Sequence, residues 1–445
     1  MISQEQNDRL TRVERGAPAG EVLRLYWQPA ALVDELAGDR PVSKVRLFGE
    51  DLVLFRDNQG RYGLIDQYCP HRGADLGFGR CEDGGLRCTF HGWLMDAEGR
   101  CLDQPAEPVG SRFKDKIRVN AYPCVEKNGV IFTYMGPGDP PPFPDLDCFV
   151  APEDHTFAFK GLWECNWLQA HEVGIDPAHA SFLHRFFEDE DPSEQYGKQF
   201  RDEAADSGIP ITRVLREFHR PKINVEPTEY GMRLVTLRQI TDADMHVRVT
   251  NLVFPNAITI PMSREMIITQ WHVPIDDHNT YWYSMFTSFG DVVDKDTMRA
   301  QRLENHTLPD YRPVVGRHND YGFDPAEQAK LTYTGMGMDI NVHDQWAVES
   351  PGAIQDRTKE NLCRSDVAII AFRRMLRRAL DEVEAGSERP DLPMLVSPEQ
   401  AHRIRGPVAV DAIGPADDWE GCWKERDAAR RRASSWATSP WGEEG

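Results

Sequence analysis

The stretch that decides the fold is Cys69-Pro-His71-Arg72-Gly73 followed, with sixteen residues between His71 and Cys88, by Cys88-Thr-Phe-His91-Gly92-Trp93. Each half offers one thiolate and one imidazole from a tight loop. Two thiolates and two imidazoles split in this way suit a [2Fe–2S] centre, with Cys69 and Cys88 on one iron and His71 and His91 on the other. Neutral imidazoles in place of anionic thiolates raise the reduction potential of such a centre. Zinc also accepts two cysteines and two histidines, but its common finger order puts both cysteines first. Here the order alternates.

Working outward, residues 44–136 read as short strands. Val45, Leu47 and the run 52–55 precede the turn Asp57-Asn58-Gln59-Gly60 and a strand over 62–65, a hairpin that delivers the chain into the first loop. After the second loop come Trp93-Leu94-Met95, a turn at 96–99 and a strand at 130–134. This span is predicted to be one small antiparallel β domain. Residues 1–43 are a helix-containing lead-in expected to dock on a later domain. The proline-rich segment beginning at Pro137 suits neither a helix nor a central strand, so 137–150 is taken as a linker.

Residues 151–407 form the expected second domain. The spacing predicts helix over 161–187, then four β runs at 232–240, 246–254, 266–273 and 281–286. A helix begins near residue 365 with Ser365 as its N-cap. Its apolar stripe is Ile369, Phe372, Leu376, Leu380 and Val383, with Arg373, Arg374, Arg377 and Arg378 on a solvated face. The tail 408–445 is polar yet carries Trp419, Trp423, Trp436 and Trp441, which suggests packing on a neighbouring surface or subunit.

At 445 residues, 40% hydrophobic and 28% charged, the composition is that of a globular chain with room for two cores. A formal net charge of −21 disfavours nucleic acid or an anionic membrane as partner. No run approaches the ~18 apolar residues of a membrane span, and the first residues lack a signal-peptide pattern. Nine cysteines without a framework spacing read as reduced thiols in a cytoplasm.

A second group of ligand-type residues runs from Asn166-Trp167 through Glu172, Asp176-Pro177 and His179 to Phe182-Leu183-His184. Two histidines near carboxylates suggest two imidazole ligands, the third ligand being a carboxylate from elsewhere. That set is the facial triad of non-haem Fe(II) sites, which leaves positions open for O2 and substrate. Alone, the pattern also fits two surface histidines. Five residues advance a helix by roughly 500°, leaving the side chains about 140° apart, so convergence needs the helix to end or bend near His184. Asp339, Asp344, Glu349 and Asp356 are the candidates for the third ligand. Asp176 reads both as an N-cap before proline and as an acceptor for the second ring N–H of His179. Glu172 is either a supporting acid or a solvated helix residue.

The two Cys–His loops resemble the cluster-binding loops of the Rieske family. Glu172-x3-Asp176-x2-His179-x4-His184, with Asn166-Trp167 and Phe182-Leu183, is similar to the mononuclear-iron motif of Rieske oxygenase large subunits. The nearest resemblance spans almost the whole chain and is to the phthalate-dioxygenase-like branch. It includes Phe48-Gly49-Glu50, Tyr134-Met135-Gly136-Pro137 and the stretch from Glu349-Ser350 to Asp356-Arg357. His171 departs from it, standing where relatives often have an apolar residue.

This resemblance implies an α+β chain: a small antiparallel-β Rieske [2Fe–2S] domain and a larger catalytic domain, a curved antiparallel sheet flanked by helices (helix-grip-like). It implies one [2Fe–2S] cluster and one mononuclear non-haem Fe(II) held by His179, His184 and Asp344, the aspartate opening a helix. Asp176, Glu172 and Asn166 would support catalysis, Asp176 bridging to His91 of a neighbouring subunit in a ring-shaped homotrimer, or in a hexamer of two stacked trimers. The implied activity is that of a terminal oxygenase. Electrons come from an external ferredoxin or NAD(P)H-dependent reductase, in keeping with the lack of a Gly-x-Gly-x-x-Gly fingerprint. The substrate is an aromatic carboxylic acid, hydroxylated or dihydroxylated on the ring, or a methoxylated lignin-type aromatic that is O-demethylated. Arg201, Arg213, Arg216, Arg220 and Arg248 fall where the pocket wall is expected, and an arginine there suits a carboxylate. Trp271, Tyr281, Trp282 and Phe286 are expected in the core. The competing readings are a Rieske-type electron carrier and a zinc-stabilised binding module.

Overall fold

The computed structural model describes residues 1–189, 203–204, 209–387, 391–401 and 403–438. Three small antiparallel sheets surround the two loops. One joins Gln28–Leu32, Val130–Thr133 and Cys124–Lys127. The second joins Val42–Leu47, Glu50–Arg56, Tyr62–Asp66 and Ala121–Tyr122, and the third Arg80–Glu82, Gly85–Arg87, Leu94–Met95 and Cys101–Asp103. The run Leu52-Val53-Leu54-Phe55 is apolar throughout because its strand is covered on both faces, and successive side chains point to opposite sides. Val53 and Phe55 join Ile65, Leu76, Leu86, Trp93 and Met95 in a small core that also holds Cys69 and Cys88. Leu52 and Leu54 join the main core, which continues into the rest of the chain.

The lead-in does two jobs. Its helices Gln4–Thr11 and Pro18–Arg24 meet the larger part of the molecule, where Asn7 Nδ2 donates to Gln355 O at 3.0 Å and Arg9 pairs with Asp381 at 2.6 Å. Its last strand, Gln28–Leu32, instead pairs with Val130–Thr133 and so completes a sheet of the small part.

The larger part is built on an eight-stranded antiparallel sheet. Its order is Thr156–Trp163, Thr280–Ser288, Met266–Pro274, Ala257–Pro261, Asp244–Val253, Gly231–Gln239 and Lys222–Thr228, with Val410–Pro415 also pairing to Asp244–Val253. The helices Trp167–Gly174 and Val367–Glu384 lie against it, and Ile340–Glu349 packs on Trp167–Gly174. The fold is α+β, small antiparallel sheets plus one larger antiparallel sheet. Among the described residues no helix is long and apolar enough to cross a membrane.

Several local expectations are corrected. Residues 161–187 are not one helix: the strand Thr156–Trp163 ends there, and the helices Trp167–Gly174 and Ala180–Leu183 are separated by Asp176-Pro177. Proline bars its preceding residue from helical geometry. Ser365 does not cap the long helix, which follows a 3-10 turn at Arg364–Asp366 and has Asp366 at its N-cap position. Phe372, Leu376 and Leu380 are buried on that helix as its stripe requires, but Arg373 is buried too, bound to Glu172 and Glu360. The tail packs on its own chain. Its helix Trp419–Ala433 buries Trp423, Arg431 pairs with Asp147 at 2.7 Å, and Trp436 stacks 5.0 Å from Phe289. Trp441 lies outside the described residues.

Candidate metal centres and their cavity

The two Cys–His loops close by the same backbone pattern. Cys69 N–H donates to Ala74 O at 2.8 Å and Gly73 N–H to Cys69 O at 2.9 Å; Cys88 N–H donates to Trp93 O at 2.8 Å and Gly92 N–H to Cys88 O at 3.0 Å. Each loop closes on a glycine in the left-handed region, Gly73 at φ 72° and Gly92 at φ 75°, which side chains with a Cβ rarely adopt. The result brings all four candidate ligands to one tip. The His71 and His91 rings lie 4.5 Å apart, and Trp93 stacks on His71 at 4.5 Å. Burial, with the Cys88 thiol beside it, pushes the Cys69 thiol up to about 11. Two thiolates at that spot need a cation, so the donor set fits an iron–sulfur cluster.

The second centre sits where the helix Ala180–Leu183 begins and ends. His179 is its N-cap and His184 its C-cap, so the helix stops before the two side chains diverge. Their Nε2 atoms are 3.2 Å apart. Asp344 arrives from the helix Ile340–Glu349, its Oδ1 3.2 Å from His184 Nε2 and 3.8 Å from His179 Nε2. Asp344 lies in the second turn of that helix; Asp339, not Asp344, opens it as the N-cap. Asp344 Oδ1 is buried without a properly directed hydrogen bond. Burial would raise its pKa, yet His184 and His179 hold it below the usual carboxylate value. Burial and His184 lower the His179 ring. Lone pairs from two imidazoles and one carboxylate thus face a common point, and all three ligand atoms lie within 4.8 Å of one another. This neutral-plus-anionic donor set fits a divalent non-haem iron.

The other candidate ligands are engaged elsewhere. Asp339 accepts the Asn341 N–H at 2.9 Å. Glu349 accepts from Glu164 N at 2.8 Å, Tyr321 OH at 2.8 Å and Gln345 Nε2 at 3.1 Å. Asp356 pairs with Lys359 at 2.8 Å. His343 stacks beside His184, its ring 5.7 Å away, and hydrogen-bonds Gly337 O.

Three supporting residues sit around this centre, and Asp176 makes the local bond of its capping reading rather than a side-chain bond to His179. The ring Nδ1 of His179 meets the backbone carbonyl of Asp176, not its carboxylate; the carboxylate accepts the Ala178 N–H at 2.8 Å, the local bond that an Asp-Pro turn favours. Glu172 is not directed at the histidines. It is buried in an ion cluster, 2.9 Å from both Arg357 Nη2 and Arg373 Nη2. Burial alone would raise its pKa, but the two guanidiniums outweigh that and hold it low. Asn166 is a wholly buried N-cap: Oδ1 accepts Leu168 N–H at 3.1 Å, while Nδ2 donates to Thr11 O at 2.9 Å and Asp277 O at 2.8 Å. It ties the ligand-bearing segment to the N-terminal helix and touches no metal ligand.

His179, His184 and Asp344 border a cavity of about 260 Å³. Its walls are mainly apolar, with Trp163, Ile258, Ile260 and Ile268 among them. Of the four expected arginines among the described residues, only Arg248 lines it, and Asp411 of the strand Val410–Pro415 neutralises that one. Arg213 pairs with Glu217, Arg216 with Asp189, and Arg220 is exposed. Arg201 lies outside the described residues. None of Trp271, Tyr281, Trp282 or Phe286 lines the cavity.

Arg238, Arg264, Arg302 and Arg426 line the cavity without having been anticipated, and Arg238 is the most deeply buried of them. It is 1% exposed, lines the cavity, and gives one bond to Pro177 O at 3.2 Å while Nε and Nη1 meet no acceptor. Burial, with Arg248 nearby, lowers it to about 10, so it remains charged at neutral pH. Strand parity carried the signal. Arg238 shares a face with Met232 and Leu234, whose side chains enter the main core, and an arginine on an inward face needs a partner.

Residues 26–123 match the Rieske [2Fe-2S] domain family and residues 133–399 the LigXa C-terminal domain like family. The chain is 34% identical over 410 residues to the phthalate 4,5-dioxygenase oxygenase subunit of Pseudomonas putida, covering 87% of this chain and 88% of that one. It is 33% identical over 394 residues to the 5,5'-dehydrodivanillate O-demethylase oxygenase subunit of a Sphingobium species, covering 87% and 82%. Among solved structures, Pseudomonas putida CBB5 NdmA QL mutant with caffeine superposes with a TM-score of 0.57 at 20% identity, covering 83% of this chain and 94% of that one. Proteins of this kind carry a [2Fe–2S] cluster in the Rieske domain and a mononuclear non-haem iron at the catalytic site. The chain belongs to the Rieske non-haem iron oxygenases, as a large subunit of the phthalate-dioxygenase-like branch.

Proposed function

We propose that this oxygenase acts on an aromatic carboxylic acid, by ring hydroxylation or by O-demethylation of a methoxylated ring, with Cys69, His71, Cys88 and His91 holding the cluster and His179, His184 and Asp344 the iron. When bound, the cluster supplies electrons one at a time and the iron supplies O2 activation. The protein's part is to bind and orient the ring in a mainly apolar cavity. The observation that carries the substrate class is Arg238, a buried guanidinium whose free N–H groups suit a carboxylate. The names of the two relatives, a phthalate 4,5-dioxygenase and a 5,5'-dehydrodivanillate O-demethylase, agree with it.

The assembly proposed is a ring-shaped homotrimer, alone or as a hexamer of two stacked trimers, fed by an external ferredoxin or reductase. Asp176 meets the partner subunit's His91 there. Phe90 and Tyr68 are more than half exposed beside the cluster tip, and Phe182 and Tyr333 are exposed, their rings 5.6 Å apart, beside the iron helix. Those two aromatic surfaces suit burial against each other. The proposed cluster domain is the residue group 44–136 with the strand Gln28–Leu32 added, and the proposed catalytic domain is 151–407 with the strand Val410–Pro415 added, joined by the linker 137–150.

Loaded protein and a working reductase are incubated with a panel of aromatic acids: released formaldehyde marks demethylation, a diol marks ring attack, and no product from any acid refutes the reading. Arg238→Met is expected to weaken binding of the productive acid about thirtyfold and to leave neutral aromatics unaffected.

A further inference from the structure

Strand alternation turns Ile268, Gln270 and His272 of Met266–Pro274 toward the cavity. Behind His272 stands His171 of the helix Trp167–Gly174, Nδ1 to Nδ1 at 3.2 Å. His272 Nε2 lies 3.0 Å from Gln270 Nε2, and Gln270 Oε1 accepts from the Ser284 hydroxyl at 3.0 Å. Both imidazoles are wholly buried, and burial lowers His171 to about 3 and His272 well below the ordinary value, so both are neutral.

Two neutral rings meeting through Nδ1 share one proton. With Gln270 donating to His272 Nε2, that proton sits on His272 Nδ1 and His171 Nδ1 accepts it. His171 then carries its own proton on Nε2, an atom without a hydrogen-bond partner, in a ring that packs 4.8 Å from Phe372. The bonds therefore run one way, from Ser284 through Gln270 and His272 to His171. They engage one amide N–H and the oxygen of Gln270. Its second N–H is left for the cavity, which Gln270 lines beside Ile258, Ile260 and Ile268, with Thr250, Ser263 and Asn341 among the polar residues of the same cavity. Apolar residues at 171 and 272 would fill the core without desolvating two imidazoles, which places the purpose of the chain at its cavity end.

We propose that Gln270 is a specificity-determining residue whose remaining amide N–H donates to an oxygen on the substrate ring, a hydroxyl or a methoxyl, and that His171 is a positioning residue that keeps the carboxamide in this orientation through His272. This rests on the aromatic-substrate reading above and is independent of the carboxylate at Arg238.

The test is calorimetric titration of full-length, cluster- and iron-loaded protein with two probe pairs, 3-methoxybenzoate against benzoate and anisole against toluene, plus 3-hydroxybenzoate to separate hydroxyl from methoxyl. Wild type is expected to favour the oxygen-bearing member of a pair about tenfold. Gln270→Leu removes that preference, and His171→Leu reduces it to about twofold or less. His171→Asn, whose carboxamide occupies the place of Nδ1, retains it, and His171→Leu adds nothing on top of Gln270→Leu. A preference for anisole over toluene without binding of any benzoate would remove the carboxylate reading and leave this proposal standing. No preference in either pair for wild type, or equal weakening of both members by His171→Leu, overturns it.

Discussion

The two candidate metal centres are assembled in opposite ways. The cluster tip is made by one short stretch, Cys69 to His91, in two loops closed by their own backbone hydrogen bonds. The iron trio needs His179 and His184 at the ends of a short helix and Asp344 from a distant one, brought together by the sheet and by buried ties such as Asn166. A centre closed by its own loops is written in spacing. A centre assembled by tertiary packing shows its histidines in the sequence but not what orients them.

The largest expected break in this comparison comes from removing one ligand at each centre. Asp344→Ala should abolish turnover and lower iron from about three to about two per chain with labile sulfide steady at about two, whereas Cys88→Ala should leave about one iron and no sulfide. Metal and sulfide analysis reads both. Loss of the cluster in Asp344→Ala would show that the centres are not independent.

Next is the link between them. Asp176→Asn keeps an oxygen to accept the Ala178 N–H, so both centres should load and the cluster should still be reduced by its electron donor. Reoxidation of the pre-reduced cluster with substrate and O2 is expected to slow at least about a hundredfold. Wild-type rates in that variant would refute the bridging role.

A third, comparable in size to the second, concerns the scaffold of the iron centre. Glu172→Gln leaves Arg357 and Arg373 short of a buried counter-charge and should cost about 3 kcal/mol of stability. Because the folded-state pKa of Glu172 lies below its ordinary 4.5, its contribution is full above that value and is lost as pH falls through the folded pKa. Melting temperature should therefore drop more steeply on acidification in wild type than in the variant.

The smallest effect distinguishes the two loops of the cluster tip. An alanine Cβ at Gly73 meets nothing within 4 Å, whereas at Gly92 it lies 3.0 Å from Pro105 Cγ. Gly73→Ala should cost about 1 kcal/mol from left-handed strain alone, with Gly92→Ala costing more. Rates of thermal bleaching of the cluster should rank them in that order.

Legibility in the sequence followed the same divide. The cluster loops, the hairpin before them and the four strong β runs were readable because their signals are local. The strand Thr156–Trp163 was partly absorbed into a helix because its apolar run continues into a true helical segment, and no local pattern marks the junction. Arg373 looked like a surface charge on its helix and Glu172 like either a supporting acid or a solvated residue; only packing shows that they face one another. Asp176 was read through its side chain, while its backbone carbonyl makes the contact with His179. Arg238 was detectable by strand parity, and Gln270 and His272 share one cavity face by the same rule.

The strand Glu50–Arg56, with Val53 and Phe55 toward the cluster and Leu52 and Leu54 toward the main core, works as a party wall between two rooms. Cutting the electron-storing portion free would leave one side of that wall oily and wet. A shortened polypeptide carrying only this portion is therefore expected to clump unless leucines at 52 and 54 are first exchanged for hydrophilic residues.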